Sequence, residues 1–259
     1  PVSEVVDRPV VYTDPVSGFV WAPKNYGRRF YGPMPLRNAL KKSINNATVH
    51  LFRDIGVNFV IDFSERLGIQ SPLSPDLSLA LGSSSVTLLE LTQAYAVFPH
   101  KGRRVVPHFI NRVTTPDGRI LLERVALGPG AERNPGIEST EPEDIAQTIE
   151  PTPEEADRVI SEASAYLMCD LLKAVVQEGT GRKARRLGRP VAGKTGTTND
   201  YFDALFYGFS PDLVVGVWVG FDQPRTLGYG EAGGSVALPV FISFMEEALK
   251  DAPAMPFRI

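Results

Sequence analysis

Cysteine and histidine, the side chains that most often bind metals or form disulfides, are scarce in this chain. Its 259 residues include one cysteine, Cys169, and three histidines. One cysteine cannot form a disulfide within the chain, and so few scattered histidines argue against a metal site. We therefore expect no internal disulfide, no metal and no other cofactor.

Long hydrophobic runs and a strong net charge are also missing. The longest apolar run, LVVGVWVGF at 213–221, is far shorter than the roughly 20 residues of a membrane-spanning helix. The formal net charge is −3, which is too small to indicate a nucleic-acid partner. The opening residues, PVSEVVDRPV, show neither a signal-peptide pattern nor an initiating Met, so we expect a segment of a longer protein.

Between residues 35 and 100 the chain shows helical periodicity. Residues 1–34 are rich in proline, glycine and aromatic residues, which indicates an irregular, extended segment before the helices. Gly68 predicts the end of one helix, and Thr87 with Glu90 forms a capping-box signature at the start of another. The apolar stripes that we expect in the core are Leu36, Ala39, Leu40 and Ile44, then Val60, Phe63 and Leu67, then Leu91, Ala94, Tyr95 and Phe98.

Strand periodicity follows near the C-terminus. RPVAGKTGT, DALFYGF and VVGVWVGF are β-type runs with short connections, which is typical of an antiparallel meander. An apolar helix at 165–178 precedes them, and an amphipathic helix at 239–250 follows. These elements predict the α/β (α+β) class, and the length suits one large domain or two small ones. Three adjacent antiparallel strands within 189–221 should be flanked by these two helices and accompanied by the helical lobe.

One stretch is strongly acidic. Residues 128–157 contain nine acidic side chains and one basic one, together with several prolines. This composition predicts a solvated surface insertion, either a tolerant loop or a regulatory arm, and not a packed element. The rest of the chain carries 26 basic and 21 acidic residues, so the folded body would tolerate an anionic substrate.

The stretch LGRPVAGKTGTTND, at 187–200, fits two motifs. From Gly188 to Thr195 it matches the phosphate-binding loop G-x-x-x-x-G-K-[ST], and from Lys194 to Gly196 it spells K-T-G, a substrate-binding strand of penicillin-recognising enzymes. A phosphate-binding loop needs a buried strand before it and a helix that begins at the lysine. Here basic, glycine-containing GTGRKARRLG precedes the motif and GTTNDYF follows it, so a nucleotide hydrolase remains only a remote alternative.

The K-T-G interpretation gains support from other parts of the chain. KSINNA places Ser43 and Asn45 in an S-x-N triplet just after a predicted helix. Further motifs are WAPKNY, GPMPLRNALKKSINN, LALGSSSVTLLELTQAYAVF, EGTGRKAR and GKTGTTNDYFDALFYGFSPDLVVGVWVGFD. Together they closely resemble the transpeptidase domain of class A, bifunctional penicillin-binding proteins. The resemblance spans nearly all of residues 20–250 apart from the acidic insertion. It implies one truncated transpeptidase domain over residues 1–259, with the fold that penicillin-binding proteins share with β-lactamases. β-Lactamases share the K-T-G but usually not its long continuation.

This resemblance implies a reaction and a set of site residues. In the family, a serine attacks the penultimate D-Ala carbonyl of a peptidoglycan stem peptide, and an amine from a neighbouring strand then takes the acyl group; penicillin mimics the stem peptide. Lys194 would lie near the hydroxyl of Ser43 and the substrate carboxylate, Ser43 would relay a proton, and Asn45 would bond the substrate amide. Thr195 and Thr197 would bind the same carboxylate, and Gly196 would leave room for the stem peptide to pair with the strand.

One departure from the family pattern is clear. The family nucleophile lies in an S-x-x-K motif ahead of S-x-N, and no serine in this sequence is followed three residues later by lysine. We therefore expect the sequence to begin downstream of the nucleophile, its helix and the first strands of the fold. The resemblance also implies an extracytoplasmic location at the bacterial inner membrane, with an anchor and a glycosyltransferase domain in the full protein, and possible contacts with other cell-wall synthesis proteins. A non-catalytic stem-peptide-binding module, or an inert fragment, is the alternative.

Overall fold

The computed structural model describes residues 2–13, 18, 20–124, 147–149 and 158–257. The α-helices of this part are α1 Leu36–Lys41, α2 Asn45–Ile55, α3 Val57–Leu67, α4 Leu88–Ala96, α5 Glu162–Glu178 and α6 Ala237–Ala248. The strands are β1 Glu4–Asp7, β2 Tyr12–Thr13, β3 Val20–Trp21, β4 Gly32–Pro35, β5 Arg112–Thr114, β6 Ile120–Arg124, β7 Gln147–Ile149, β8 Ala192–Thr197, β9 Ala204–Phe209 and β10 Val214–Val219. Short 3-10 helices lie at Leu77–Leu81, Arg182–Leu187 and Asn199–Tyr201.

The predicted meander is confirmed. Strands β8, β9 and β10 form an antiparallel sheet in the order β10-β9-β8, with Lys194 opposite Tyr207. Side chains alternate between the two faces. Phe206 points to α6, where its ring centroid lies 4.7 Å from that of Phe241. Tyr207 points the other way and stacks on Tyr95 of α4 at 5.2 Å. Helix α5 packs on the same sheet through Cys169 and Leu172, which share a buried cluster with Phe209, so the two predicted helices, α5 and α6, flank the sheet.

The position of Lys194 in this sheet tests the phosphate-binding-loop alternative. Lys194 lies inside β8, and the strand continues through Thr197 before the chain turns. No helix begins at this lysine, so no helix N-terminus is available there to bind a phosphate. The nucleotide-hydrolase interpretation is therefore wrong.

The helical lobe lies where the sequence placed it, but its boundaries differ. The expected helix through Ile44 ends at Lys41, and a second helix, α2, begins at Asn45. Helix α2 was not predicted because polar Asn46 and His50 lie buried on its inner face and interrupt the apolar stripe. The capping box of Thr87 with Glu90 and the left-handed C-cap at Gly68 are both present.

Two other expectations need correction. Val60, Phe63 and Leu67 were expected in the core, but no residue of α3 is buried within the described part of the chain. The N-terminal segment is more regular than its composition suggested, because β1 pairs with β4 and β2 pairs with β3. Most of the predicted acidic insertion at 128–157 lies outside the described residues. Within it, Gln147–Ile149 forms a strand that pairs in parallel with β6, where an unpacked loop was expected.

Candidate active site

Ser43 occupies a strained turn between α1 and α2. Its backbone φ is 55°, in the left-handed region that glycine usually takes at the end of a helix. The turn is fixed by two hydrogen bonds, from Ser43 N–H to Leu40 O at 3.0 Å and from Ile44 N–H to Ala39 O at 2.9 Å. Ile44 is then buried as an apolar anchor. Holding a serine in this conformation costs on the order of 1–3 kcal/mol of backbone strain energy, and such strain is concentrated at functional sites.

Lys194, on strand β8, contacts this serine. Its Nζ donates to Ser43 Oγ at 2.8 Å and to the carbonyl oxygen of Thr195 at 2.8 Å. Burial lowers the pKa of Lys194 to about 8, because the charged ammonium has lost much of its hydration. The predicted contact between Ser43 and Lys194 is therefore present, although the two residues are 151 positions apart.

Asn45 lines the same cleft as Ser43, as predicted. This cavity, which we call the strand cleft, has a volume of about 620 Å³ and runs along β8. Asn45 Nδ2 donates to the carbonyl oxygen of Lys24 at 2.9 Å, which ties the start of α2 to the WAPKNY stretch. The other residues that border the strand cleft include Tyr26, Thr180, Thr195, Thr197 and Tyr201.

A buried polar network that no sequence motif predicted supports the start of α2. Asn25 Nδ2 donates to both carboxylate oxygens of Asp7 at 2.9 Å. Asn25 Oδ1 accepts from the backbone N–H of Asn46 at 3.2 Å and from its side chain at 3.3 Å. All three side chains are at most 3% exposed. Since α2 has no capping side chain of its own, Asn25 satisfies one of its free N–H groups from a distant segment.

The hydroxyls of the K-T-G strand are held by neighbours within the chain. Thr195 Oγ1 lies 2.7 Å from Thr180 Oγ1, and either hydroxyl could be the donor. Thr197 Oγ1 accepts from the backbone N–H of Gly233 at 3.0 Å, so its own hydrogen stays available for a ligand. Gly196 is tightly packed, because a Cβ there would lie 3.3 Å from the side chain of Leu205. Its proposed role in leaving room for a stem peptide stays a prediction.

Comparisons with known proteins identify the family. The sequence model of the penicillin-binding protein transpeptidase domain matches residues 7–246. This chain belongs to the penicillin-binding protein transpeptidase family. It is 42% identical over 277 residues to penicillin-binding protein 1A of Pseudomonas aeruginosa. That alignment covers 97% of this chain and 34% of the Pseudomonas protein. It is also 38% identical over 240 residues to penicillin-binding protein 1A of Rickettsia bellii. That alignment covers 92% of this chain and 30% of the Rickettsia protein.

Solved structures of this family share the fold. The crystal structure of penicillin-binding protein 1A from Haemophilus influenzae superposes with a TM-score of 0.81 and 32% identity, over 100% of this chain and 40% of that one. PonA1 of Mycobacterium tuberculosis shares the fold at a TM-score of 0.73 and 22% identity, over 99% of this chain and 65% of that one. The chain spans only about a third of the length of the curated relatives named above.

Proposed function

We propose that these residues form part of a peptidoglycan D,D-transpeptidase site that cross-links stem peptides through a serine acyl-enzyme. The contact that carries this proposal is the hydrogen bond from Lys194 Nζ to Ser43 Oγ at 2.8 Å. It joins the K-T-G strand to the S-x-N turn beside a cleft of about 620 Å³, which is large enough for a peptide. Membership of the penicillin-binding transpeptidase family supports the same reaction.

Each site residue is assigned the role that the family resemblance implies for it. Lys194 supplies positive charge for the substrate carboxylate, and the hydroxyls of Thr195 and Thr197 donate to that carboxylate. The stem peptide pairs with the exposed edge of β8 as an added strand. Ser43 passes a proton to the departing D-Ala amine, since its hydroxyl is already bonded to the Lys194 ammonium, and Asn45 bonds the substrate amide.

The acylated serine is assigned to residues outside this sequence. Acylation needs a hydroxyl with a base beside it, and none of the serines in these 259 residues has a lysine three positions later. Ser43 is the proton relay in this proposal and not the nucleophile. We therefore infer that the 259-residue chain forms no acyl-enzyme by itself.

The wider context of the protein belongs to the same proposal. We assign the domain to the extracytoplasmic face of the inner membrane, within a protein that carries a membrane anchor and a glycosyltransferase domain and that reacts with β-lactams. Other cell-wall synthesis proteins are candidate partners. Within the described part of the chain, no helix has both the length and the apolar character needed to span a bilayer. The same part has no cluster of three or more potential metal-ligating side chains.

Labelling with a fluorescent penicillin tests the proposal. The 259-residue chain should form no covalent adduct, whereas a version extended upstream through an S-x-x-K should gain the mass of one penicillin. Lys194→Ala in the extended version should reduce the labelling rate by about 10- to 100-fold, because a charge-assisted contact to the carboxylate is lost. Intact-mass measurement on all three polypeptides gives the result.

Three outcomes would separate the alternatives. A stoichiometric adduct on the short chain, mapped to Ser43 or another residue, would show that the nucleophile has been misplaced. An extended version that binds stem peptide reversibly but is never acylated would favour the non-catalytic binding module. An extended version that does neither would indicate an inert fragment.

A further inference from the structure

The loop that follows α5 places Thr180 at the border of the strand cleft. Its backbone is held by the ends of α1 and α5, since the N–H of Thr180 donates to Lys41 O at 3.2 Å and the N–H of Gly181 donates to Val175 O at 3.1 Å. A Cβ on Gly179 would fall 2.2 Å from Lys41 O, so glycine is needed for this close approach. The backbone around Thr180 is therefore closely constrained.

The hydroxyl of Thr180 has one hydrogen-bond partner among the described residues, the hydroxyl of Thr195. The two oxygens lie 2.7 Å apart, and both residues border the strand cleft. A hydroxyl has one hydrogen to donate and two lone pairs with which to accept. If Thr195 donated to Thr180, its only hydrogen would be used within the protein and none would be left for a ligand. The direction of this hydrogen bond therefore decides what Thr195 can bind.

An anionic ligand would fix that direction. An ionised carboxylate only accepts hydrogen bonds, so the Thr195 hydroxyl must turn its hydrogen towards the carboxylate, and its oxygen can then accept from Thr180. In such a chain each hydrogen bond polarises the next, which makes Thr195 a stronger donor to the carboxylate. The other hydroxyl of the strand, that of Thr197, already accepts from the backbone N–H of Gly233 at 3.0 Å. With a carboxylate bound, each of the two hydroxyls would therefore accept from the protein and donate to the ligand.

We propose that Thr180 is a positioning residue of the site: its hydroxyl donates to Thr195 Oγ1 and thereby directs the Thr195 hydrogen to the substrate carboxylate. Thr180 acts through Thr195 and needs no contact with the substrate. This inference rests on the proposed function, which assigns the carboxylate to Thr195, and it adds a residue from outside the S-x-N and K-T-G motifs. Thr180 lies in EGTGRKAR, a stretch that carried the family resemblance without an assigned role.

A double-mutant cycle on the full-length natural protein tests this role, with the second-order rate constant of acylation by benzylpenicillin as the readout. Thr180→Val keeps the β-branched shape but removes the hydroxyl, and should lower the rate constant about fivefold, as expected for one lost hydrogen bond. Thr195→Val should lower it at least as much. In the Thr195→Val background, Thr180→Val should have no further effect, because Thr180 acts only through the Thr195 hydroxyl. The rate constant is measured on the fraction of protein that becomes labelled, so misfolded protein does not contribute to it.

Two further variants complete the design. Thr180→Ser keeps the hydroxyl and should restore most of the wild-type rate constant. Thr48→Val is the matched control, because it removes a threonine hydroxyl on α2 that donates to Ile44 O outside the strand cleft, and it should keep the wild-type rate constant. The inference is overturned if Thr180→Val is acylated as fast as the wild type, if it lowers the rate constant equally in both backgrounds, or if Thr180→Ser is as slow as Thr180→Val. A wild-type protein that is never acylated would instead overturn the proposed function.

Discussion

At Lys194, burial and charge act against each other. The side chain is partly buried, and the loss of hydration lowers its pKa to about 8, while its role in the proposed site requires the protonated form. The hydrogen bonds to Ser43 and Thr195 hold the ammonium in place but do not bring a compensating negative charge. A substrate carboxylate would supply that charge. An anionic ligand would therefore stabilise the protonated Lys194 of the proposed site.

The lowered pKa predicts how penicillin acylation depends on pH. In a version that contains the S-x-x-K, the second-order acylation rate constant should fall as pH rises through about 8, because Lys194 is protonated below its pKa and neutral above it. Lys194→Arg should remove this fall, since arginine stays charged across the whole range. Stopped-flow measurements of the acylation rate from about pH 6 to about pH 10, a range that brackets the pKa, give both profiles. Parallel profiles in the two proteins would contradict the assignment.

The site was predictable from sequence only where a motif names its residues. The motifs S-x-N and K-T-G, read together with the family resemblance, predicted the contact of Ser43 with Lys194 and the position of Asn45 in the same cleft. Asp7 and Asn25 were not found as supports of α2, because their contribution depends on a buried contact between distant segments that no local pattern encodes. The only available signal was that Asn25 lies in WAPKNY, a stretch that carried the family resemblance without an assigned role.

Among the secondary-structure elements, β8 depends on a close backbone contact. Gly233 lies directly against the β8–β9 pair, so that a Cβ on it would fall 2.3 Å from Leu205 O and 2.4 Å from Gly196 O. Both of these atoms belong to the sheet backbone and cannot move without distorting the strands. The same residue donates its N–H to Thr197. The segment at 230–235 therefore supports the strand that carries the K-T-G.

Gly233→Ala should consequently destabilise the sheet by about 1–3 kcal/mol, as overpacking usually does. Gly234→Ala is the matched control, since its Cβ would meet no atom closer than Thr180 O at 3.2 Å, and a smaller effect is expected. Urea unfolding at low protein concentration, followed by tryptophan fluorescence, to which Trp218 on β10 and Trp21 on β3 both contribute, compares the two variants. Equal unfolding midpoints would show that the backbone at Gly233 relaxes freely.

Elements were predictable where apolar periodicity was strong and uninterrupted. The helices at 162–178 and 237–248 and the three strands of the meander follow their patterns closely. Helix α2 was missed because Asn46 and His50 are polar yet buried, which only a tertiary hydrogen-bond network makes possible. The apolar stripe of α3 was overinterpreted as core, because periodicity shows that a helix has an apolar face but not whether that face is covered.

At the scale of the whole molecule, the outer edge of the sheet is the feature that bears on self-association. Strand β10 is the last in the order β10-β9-β8, and within the described residues no strand pairs with its outer side. Trp218 and Phe221 are 42% and 41% exposed near this edge. An apolar strand with unpaired N–H and C=O groups is a template for pairing with another chain.

The isolated 259-residue chain should therefore self-associate through β10. We expect its mass, measured by size-exclusion chromatography with light scattering, to rise with concentration over the micromolar range. Trp218→Lys places a charge on the exposed edge strand and should shift the equilibrium towards monomer, because a pairing partner would have to bury that charge. Trp218→Phe loses the hydrogen bond from Trp218 Nε1 to Asp203 but keeps an apolar edge, so it should associate like the wild type. A chain that stays monomeric at every concentration would mean that another segment covers β10 or that the edge is not free.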